Sequence, residues 1–276
     1  MDQASAELWV ARVFGSPSAR GMSVALVRST GARAPVSFSA LAGDLGHDVT
    51  AFLLPGADGR WTQLAYSGTR RLSASAAALL VAGAANSAGR TSSVETPAGQ
   101  ATVLVDDAGL VWARLPTVAL SRGEPLAPLA SALGRARLPG CAPDVVVRGP
   151  VARCYREVPD PAALQLVDLA RDRAWSYLRH EGLDAICLYA RVGPDELALR
   201  VFSSACCGGE ESVSPGVLGG LSLLLDTSNA LTIQQGRGAP RFRGTLLLKD
   251  GAVGGRVRLL SRGALLQEAW GHRRAC

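Results

Sequence analysis

The chain has 276 residues, 48% of them apolar, and a formal net charge of +6 that comes from scattered arginines and a single lysine, Lys249. It is long enough to bury one large core or two of medium size, which excludes extensive disorder. No stretch reaches the roughly 18–20 uninterrupted apolar residues of a membrane helix. Basic clusters interleaved with aromatic residues are absent, so we expect no nucleic-acid partner and predict a soluble cytoplasmic protein without a leader or membrane contact.

The first half of the chain alternates between strand-like and helix-like patterns. Phe38, Leu41 and Leu45 recur with the three- and four-residue spacing of a helix face. An alanine-rich segment at 73–85 predicts a helix small enough to be buried. In chain order, the predicted elements are strands 8–14 and 22–28, a helix around 38–45, strands 49–54 and 60–67, helix 73–85, and strands near 93, 101–105 and 110–115.

The second half repeats this arrangement. Asp160 is a suitable N-cap and Pro161 a suitable first residue for one long helix. Its apolar face comprises Leu166, Leu169, Ala170, Ala174, Tyr177 and Leu178. The predicted elements are strands 144–148 and 151–158, this long helix, strands 185–192 and 197–203, an apolar helix from Ser214-Pro215 to about 225, and strands near 231, 244–248, 255–260 and 264–270.

One order of elements, two strands, a helix, two strands and a helix, therefore occurs twice. Such a duplication predicts an α+β fold with two pseudo-symmetric lobes, each with a central helix wrapped by a curved sheet. We assign residues 1–118 to the N-terminal lobe and 119–262 to the C-terminal lobe, with 263–276 returning to the N-terminal lobe. A cleft between the lobes would bring two helix N-termini together, and their N–H groups and dipoles favour a small carboxylate as ligand.

The cysteines and histidines predict no metal site. No two of the six cysteines have the two-residue gap of a zinc knuckle or a redox dithiol, and the three histidines, His47, His180 and His272, lie far apart in the sequence. All six cysteines fall in the second half of the chain, so we expect reduced thiols and no disulfide framework.

Several segments resemble the PhzF-like isomerase family. Residues 45–54, LGHDVTAFLL, resemble its LGHSETAFLL-type segment, and Val13-Phe14 followed by Arg20-Gly21 resembles its opening strand and xGN turn. Residues 202–216 resemble its FxPxxGxxEDPVTGS segment, residues 235–237 its QGR strand, and residues 96–99 a turn found there. The resemblance runs in order along almost the whole chain. It implies the diaminopimelate-epimerase fold, a cofactor-free isomerase and a homodimer.

The departures from this family pattern fall on the chemistry. The family's proton-shuttling glutamate corresponds to Val49, which cannot accept a proton. Its Gly-His pair falls on Ala76-Ala77, so the histidine is missing as well. The aspartate of the EDP segment corresponds to Glu211, which keeps a carboxylate on a longer side chain.

Three residues are candidate proton carriers. Glu211 precedes the second central helix, whose dipole favours the ionised carboxylate, but it could equally serve as a capping residue. Asp48 neighbours the lost glutamate position. Since adjacent strand residues face opposite sides, it reaches the site only through a bulge and is otherwise a solvated strand-end acid. Cys206 lies upstream of the same helix start, where a thiol pKa can fall, although a buried, inert cysteine is commoner.

The candidate substrate-binding residues lie at the two helix starts and beside Asp48; they are Ser75, Ser214, Gly216, Val217, His47 and Val49. The two serines match positions where related epimerases place an acid and a base cysteine. Serine is too weakly acidic for that role, so each serine either donates a hydrogen bond to a carboxylate or caps its helix. Gly216 and Val217 would contribute backbone N–H groups. His47 titrates near neutrality, but we favour a structural part for it.

These features favour an isomerase that moves a double bond in a small unsaturated amino or carboxylic acid by proton abstraction and return. The alanine- and arginine-rich, lysine-poor composition fits an actinobacterial source. Divergent family members there, the LmbX type, make 4-alkylproline units of lincomycin and pyrrolobenzodiazepine antibiotics. The alternative is a catalytically silent carboxylate-binding protein, which Val49 and Ala77 would allow. A third hypothesis, an epimerase with a cysteine acid and base, is disfavoured by Ser75 and Ser214.

Overall fold

The computed structural model describes residues 6–16, 20–29, 37–56, 60–86, 91–116, 119–125, 127–129, 143–236 and 244–265. They form two compact units. The first consists of the described residues up to Gly15, those within Met22–Pro116 and those from Ala252 to Leu265, and the second of the described residues within Ser16–Gly21 and Thr117–Gly251. In the described part of the chain, no helix is long and apolar enough to cross a membrane.

The elements follow the order that the sequence predicts, with a few additions. In chain order they are β1 (Ala6–Val13), β2 (Met22–Ser29), α1 (Phe38–Leu45), β3 (Val49–Pro55), β4 (Trp61–Ser67), β5 (Arg70–Leu72), α2 (Ala76–Ala85), β6 (Ser92–Thr96), β7 (Gly99–Val105), β8 (Val111–Arg114), β9 (Ser121–Gly123), β10 (Val145–Arg148), β11 (Arg153–Glu157), α3 (Pro161–Leu166), α4 (Arg171–Glu181), β12 (Ala185–Gly193), β13 (Glu196–Ser203), a 3₁₀ turn (Pro215–Val217), α5 (Leu218–Leu224), β14 (Leu231–Gln235), β15 (Gly244–Lys249), β16 (Ala252–Gly255) and β17 (Val257–Leu265).

The last predicted strands require a correction. The sequence predicted separate strands at 255–260 and 264–270, whereas a single strand, β17, runs from Val257 to Leu265. It pairs antiparallel with β1 along its length, with a register shift between Val10 and Ala11. Residues 266–270 of the prediction lie outside the described residues.

The first unit is a sheet built around α2. β1 pairs antiparallel with β17 and β2, β2 runs parallel to β3, and β3 pairs antiparallel with β4. The sheet continues from β4 through a parallel pairing with β6 to β7, β8 and β16, which pair antiparallel in turn. α2 contacts β1, β2, β3, β7, β8, β16 and β17, so the helix is central to its unit.

Small residues allow α2 to occupy this position. Residues 76–83 of the helix are all buried. A Cβ added at Gly83 would lie 2.5 Å from Val103 Cγ1 and 2.8 Å from Val111 Cγ1, so the helix packs directly against β7 and β8. The amphipathic helix predicted around 38–45 is also confirmed: the ring of Phe38 packs edge-on against Phe52, with ring centroids 4.8 Å apart.

The second unit has a sheet of the same design. β9, β10 and β11 pair antiparallel, β11 runs parallel to β12, β12 pairs antiparallel with β13, β13 runs parallel to β14, and β14 pairs antiparallel with β15. α3 and α4 pack on β12 and β13. Their buried residues, among them Leu164, Ala174 and Leu178, share one core with Ile186, Leu188 and Phe202 of the sheet.

The single long helix predicted from Pro161 is wrong. Asp160 caps the helix that begins there and accepts a hydrogen bond from the Ala163 N–H at 2.7 Å. That helix ends at Leu166, and a second helix begins at Arg171. Arg200 Nη1 donates to the carbonyl oxygens of Leu164 and Val167, at 3.1 and 2.6 Å, and these oxygens would otherwise accept from the next helical turn. As a result Leu166, predicted to be buried, is 81% exposed.

The predicted duplication is visible in the register of the two units. Gly46 ends α1 and Gly182 ends α4, both in the left-handed conformation with φ of 65° and 64°. Two residues later an aspartate, Asp48 or Asp184, directly precedes the strand that runs parallel to the preceding strand. The duplicated α+β fold is therefore confirmed, and it aligns Val49 with Ala185.

Candidate active site

The loop between β13 and α5 has a fixed backbone. Ser203 N–H donates to the Gly209 carbonyl at 3.1 Å, and Gly208 N–H donates back to the Ser203 carbonyl at 2.8 Å. Arg171, at the start of α4, donates to the carbonyls of Cys206 and Cys207. Gly208 has φ of +80°, and a Cβ there would lie 2.6 Å from Trp175 N, so this position requires glycine. Contacts from the end of β13 and from α4 therefore hold the loop in place.

Of the two adjacent glutamates in this loop, Glu210 has a structural partner. Its carboxylate accepts two hydrogen bonds from Arg200, at 3.0 Å from Nε and 2.7 Å from Nη2. The same guanidinium lies over the Phe202 ring, 5.0 Å from its centroid, and holds the end of α3. The sequence did not indicate this pairing. It ties the loop to the core of the second unit.

Glu211 is held by its backbone alone. Its N–H donates to the Val201 carbonyl at 2.8 Å, and its carbonyl accepts from Gln235 Nε2 at 3.2 Å. Within the described residues the half-buried Glu211 carboxylate has no hydrogen bond or ion pair, and it does not cap α5. Gln235 Oε1 accepts from the Ser214 N–H at 2.8 Å, so one buried amide side chain fixes Glu211 relative to the helix start.

Glu211 and Arg153 both lie within electrostatic range of a buried thiol. Burial raises the pKa of Cys187; Arg153 lowers it and Glu211 raises it further. Burial also raises the pKa of Cys206, and the nearby Glu211 raises it further. The shift at Cys206 is opposite to the lowered pKa considered from the sequence, so this residue is a protonated thiol at neutral pH.

The start of α5 offers fewer donors than the sequence predicted. Pro215 has no N–H, and the Val217 N–H donates to the Ser214 carbonyl at 3.2 Å, because the helix opens with a 3₁₀ turn. The Gly216 N–H and the Ser214 hydroxyl have no hydrogen-bond partner in the described parts of the chain. The Val217 carbonyl accepts from the buried Tyr155 hydroxyl at 2.8 Å, which anchors the turn.

The start of α2 is capped in the ordinary way. Ser75 is 7% exposed, and its hydroxyl accepts from the Ala78 N–H at 3.4 Å. The Leu79 N–H donates to the Ser75 carbonyl at 3.0 Å. Among the described residues, the N–H groups of Ala76 and Ala77 are left without a partner, and their methyl side chains are buried. No side chain capable of proton transfer projects from this first turn.

Asp48, a candidate proton carrier, is engaged at the start of β2. Its Oδ2 accepts from the Ser23 N–H at 2.7 Å and from the Ser23 hydroxyl at 3.1 Å, while the Asp48 N–H donates to the same hydroxyl at 3.2 Å. Such reciprocal bonding is typical of a structural strand-end acid. Val49 is 5% exposed and pairs with Val24.

His47 is half-buried beside this pair. Burial lowers its pKa below the usual value of 6.5; the nearby Asp48 raises it and Arg12 lowers it. The imidazole is therefore neutral at physiological pH. His47, Asp48 and Val49 thus lie together in the first unit, whereas Glu211, Ser214, Gly216 and Val217 lie together in the second.

Arg153 and Asp184 form an ion pair that the sequence analysis missed. Arg153 Nη2 lies 3.2 Å from Asp184 Oδ2, and Asp184 Oδ1 accepts from the Ser204 hydroxyl at 3.1 Å. A Cβ at Gly216 would lie 3.4 Å from Arg153 Nη2, so the guanidinium reaches the start of α5. The repeated Gly-x-Asp spacing before β3 and β12 is a sequence signal that could have marked Asp184. No group of three or more metal-ligating side chains occurs in the described ranges.

The comparisons with known proteins agree on the fold. A predicted epimerase from Pseudomonas aeruginosa matches with a TM-score of 0.72 at 20% identity, over 96% of this chain and 99% of that one. A PhzF-family phenazine biosynthesis protein from Enterococcus faecalis matches with a TM-score of 0.71 at 17% identity, over 95% and 99%. A hydroxyproline epimerase from Agrobacterium vitis, with bound trans-4-hydroxy-L-proline, matches at 0.55 and 11% identity, over 98% of each chain.

No protein-family model and no curated protein matches the chain. The structural matches, at 20% identity or less, establish the architecture. This protein has the diaminopimelate-epimerase-type fold of the PhzF-family structures.

Proposed function

We propose that this protein is a cofactor-independent isomerase or epimerase that moves a proton on a small carboxylic acid, with Glu211 as the proton carrier. The observation that carries the proposal is the contrast between two neighbouring glutamates: Glu210 is bound to Arg200, and Glu211 has a fixed backbone and an unpaired carboxylate. A carboxylate of this kind can accept and return a proton without first breaking an ion pair. The fold shared with proteins named epimerases supports the reaction class.

The reaction needs no external oxidant or reductant. The Glu211 carboxylate takes a proton from a carbon next to a double bond of the unsaturated acid, and the electron pair of that C–H bond forms a new double bond. The former double bond supplies the pair that accepts the proton at another carbon. Return of the proton by Glu211 completes the shift and regenerates the carboxylate.

Backbone and hydroxyl donors at the start of α5 would hold the substrate. In the second unit these are the Ser214 hydroxyl and the Gly216 N–H, while the Val217 side chain lines the turn. In the first unit the Ser75 oxygen accepts the capping bond, so the proton of this hydroxyl is not used in that bond. His47 and Val49 remain proposed substrate contacts. Asp48, whose carboxylate is bound to Ser23, and Cys206, which is a protonated thiol, are not assigned the proton transfer.

The proposal extends to a substrate and a setting on the basis of the sequence resemblance. We assign the substrate to the unsaturated pyrroline carboxylates of 4-alkylproline assembly, within antibiotic biosynthesis, and the active form to a homodimer. Incubation with dienyl pyrroline carboxylates in heavy water is the test. The expected result is deuterium incorporation together with a shift in the ultraviolet spectrum. Absence of both across these substrates contradicts the isomerase proposal.

A catalytically silent carboxylate-binding protein is the second candidate. It is favoured by Val49 and Ala77, which stand where the family that the sequence resembles has a glutamate and a histidine. Both are apolar and buried, with 5% and 0% exposure. Calorimetry with small carboxylates separates the two proposals. Tight binding unchanged by Glu211→Gln, without turnover of any substrate, would support binding alone.

A further inference from the structure

Arg153 has features that its ion pair does not explain. In the part of the chain that the structure describes, its Nη2 faces Asp184 Oδ2 at 3.2 Å, its Nε is buried without a hydrogen-bond partner, and its Nη1 makes no hydrogen bond. A guanidinium has five N–H donors in a planar fork, so one contact to Asp184 leaves most of them unused. About a fifth of the side chain, 22%, remains exposed.

The unused donors lie where the proposed substrate would bind. The guanidinium is adjacent to Gly216, at whose position a Cβ would come 3.4 Å from Nη2. Arg153 and Glu211 also lie within electrostatic range of the same buried sulfur, that of Cys187. A ligand held by Arg153 would therefore contact the turn that Gln235 fixes relative to Glu211.

Without Arg153, the start of α5 would offer a carboxylate only neutral donors. α5 has only seven residues, its opening turn is 3₁₀, and Val217 N–H is already bonded to Ser214. The remaining Gly216 N–H and Ser214 hydroxyl are neutral donors. Hydrogen bonds to a carboxylate from a charged guanidinium are shorter and roughly twice as strong as those from neutral donors.

We propose that Arg153 binds the carboxylate of the substrate through its Nη groups, and that Asp184 is a positioning residue that orients the guanidinium toward Gly216. Asp184 is itself fixed, since its side chain accepts from the Ser204 hydroxyl and its backbone N–H donates to the Ala152 carbonyl at 2.7 Å. This inference deepens the proposed function, on which it rests for the ligand class. In the first unit the matching register position is Val24, which pairs with Val49 as Arg153 pairs with Ala185, and Asp48 is bound to Ser23 instead of an arginine.

The test is calorimetry with pyrrole-2-carboxylate, a flat five-membered-ring carboxylate, and with the neutral pyrrole-2-carboxamide. Arg153→Gln is expected to weaken carboxylate binding by about tenfold to about a hundredfold, which corresponds to the loss of hydrogen bonds to a charged group. Arg153→Lys keeps the charge but loses the planar fork of donors, so its carboxylate affinity should lie between those of the wild type and Arg153→Gln. The carboxamide should bind weakly and equally to the wild type and to Arg153→Gln.

The matched control is Arg191→Gln, which removes an arginine of the same unit that is paired with Glu157 at 3.5 Å. It should leave carboxylate affinity unchanged. If Arg153→Gln does not fold, Asp184→Asn, which keeps the arginine but frees it, should weaken binding by a smaller factor. Wild-type affinity for the carboxylate in both Arg153 variants, or no carboxylate binding by the wild type, overturns the inference.

Failure of this inference is distinguishable from failure of the proposed function. Arg153-dependent carboxylate binding without deuterium exchange on any substrate would retain the binding role and reject the isomerase. Deuterium exchange with an unchanged KM in Arg153→Gln would retain the isomerase and reject the role of Arg153.

Discussion

The two units share one order of elements but differ in what surrounds the turn before the parallel strand. In the first unit Asp48 is bound to Ser23, and the following residue, Val49, is buried. In the second unit Asp184 is paired with Arg153, close to the start of α5. Duplication thus preserves the framework, while the partner of the turn aspartate changes from the neutral Ser23 to the charged Arg153.

The central helices of the two units also differ, in length and in how their first turns are capped. α2 has ten residues, and Ser75 caps it. α5 has seven residues and a 3₁₀ opening whose serine leaves its hydroxyl free in the described structure. A capped, apolar helix contributes mainly to stability, whereas an uncapped start beside Arg153 and Glu211 can bind a ligand.

The largest effect on stability is expected from the charged pair of the second unit. Glu210→Gln leaves the largely buried Arg200 without its carboxylate and should lower the free energy of unfolding by about 3 kcal/mol. The first unit has no acid between Gly68 and Ser75, so it has no counterpart to this pair. Urea unfolding measures the change. A loss below about 1 kcal/mol would show that the pair does not hold the loop.

Substitution of one glycine in each central helix should destabilise the protein by about 1–3 kcal/mol, since each new methyl group meets packed atoms. In Gly83→Ala these are Val103 and Val111, and in Gly220→Ala they belong to Tyr155. Only Gly220→Ala should also reduce carboxylate binding, because Tyr155 anchors the Val217 carbonyl. Thermal unfolding and calorimetry check both parts. Equal ligand affinity in the two variants would contradict the assignment of the site to α5.

Replacing the two helix-start serines should affect different properties of the protein. Ser75→Ala removes a capping bond and should cost about 1 kcal/mol of stability. Ser214→Ala removes a hydroxyl that caps nothing, so stability should change little while carboxylate affinity falls. Denaturation midpoints compared with dissociation constants provide the measurement. A stability loss in Ser214→Ala equal to that in Ser75→Ala would argue against a ligand-binding role.

The smallest effect is the pH dependence from His47. Burial lowers its pKa below 6.5, so the unfolded chain binds the proton more readily than the folded protein does. Stability contributed by the neutral imidazole is present above pH 6.5 and is lost as the pH falls toward the folded-state pKa. His47→Gln should therefore flatten the stability curve between about pH 7 and about pH 5. An unchanged slope would show that other groups cause it.

Local patterns predicted most of the fold because strands, helix faces and caps depend on near neighbours. The buried helix at 73–85 was expected from its alanines, and Asp160 caps α3 as predicted. The break between α3 and α4 depends on Arg200, distant in sequence, which takes two carbonyl oxygens. No periodicity of the helix itself contains that information.

The residues of the candidate site were predictable only where they lie within one sequence motif. Glu211, Ser214 and Gly216 follow from one segment and are near one another because Gln235 holds that segment. Arg153 lies on β11, and Asp184 precedes β12; the parallel pairing of these strands brings them together. Residues distant in sequence were therefore found only through the sheet register.

The most direct test of Glu211 as the proton carrier is the rate of deuterium incorporation into a substrate in heavy water, measured for Glu211→Gln and Glu210→Gln and corrected for the folded fraction of each. If Glu211 carries the proton, Glu211→Gln should lower the rate by about a hundredfold to about ten-thousandfold, and folded Glu210→Gln should retain most of it. Deuterium incorporation at the wild-type rate in Glu211→Gln would contradict the account.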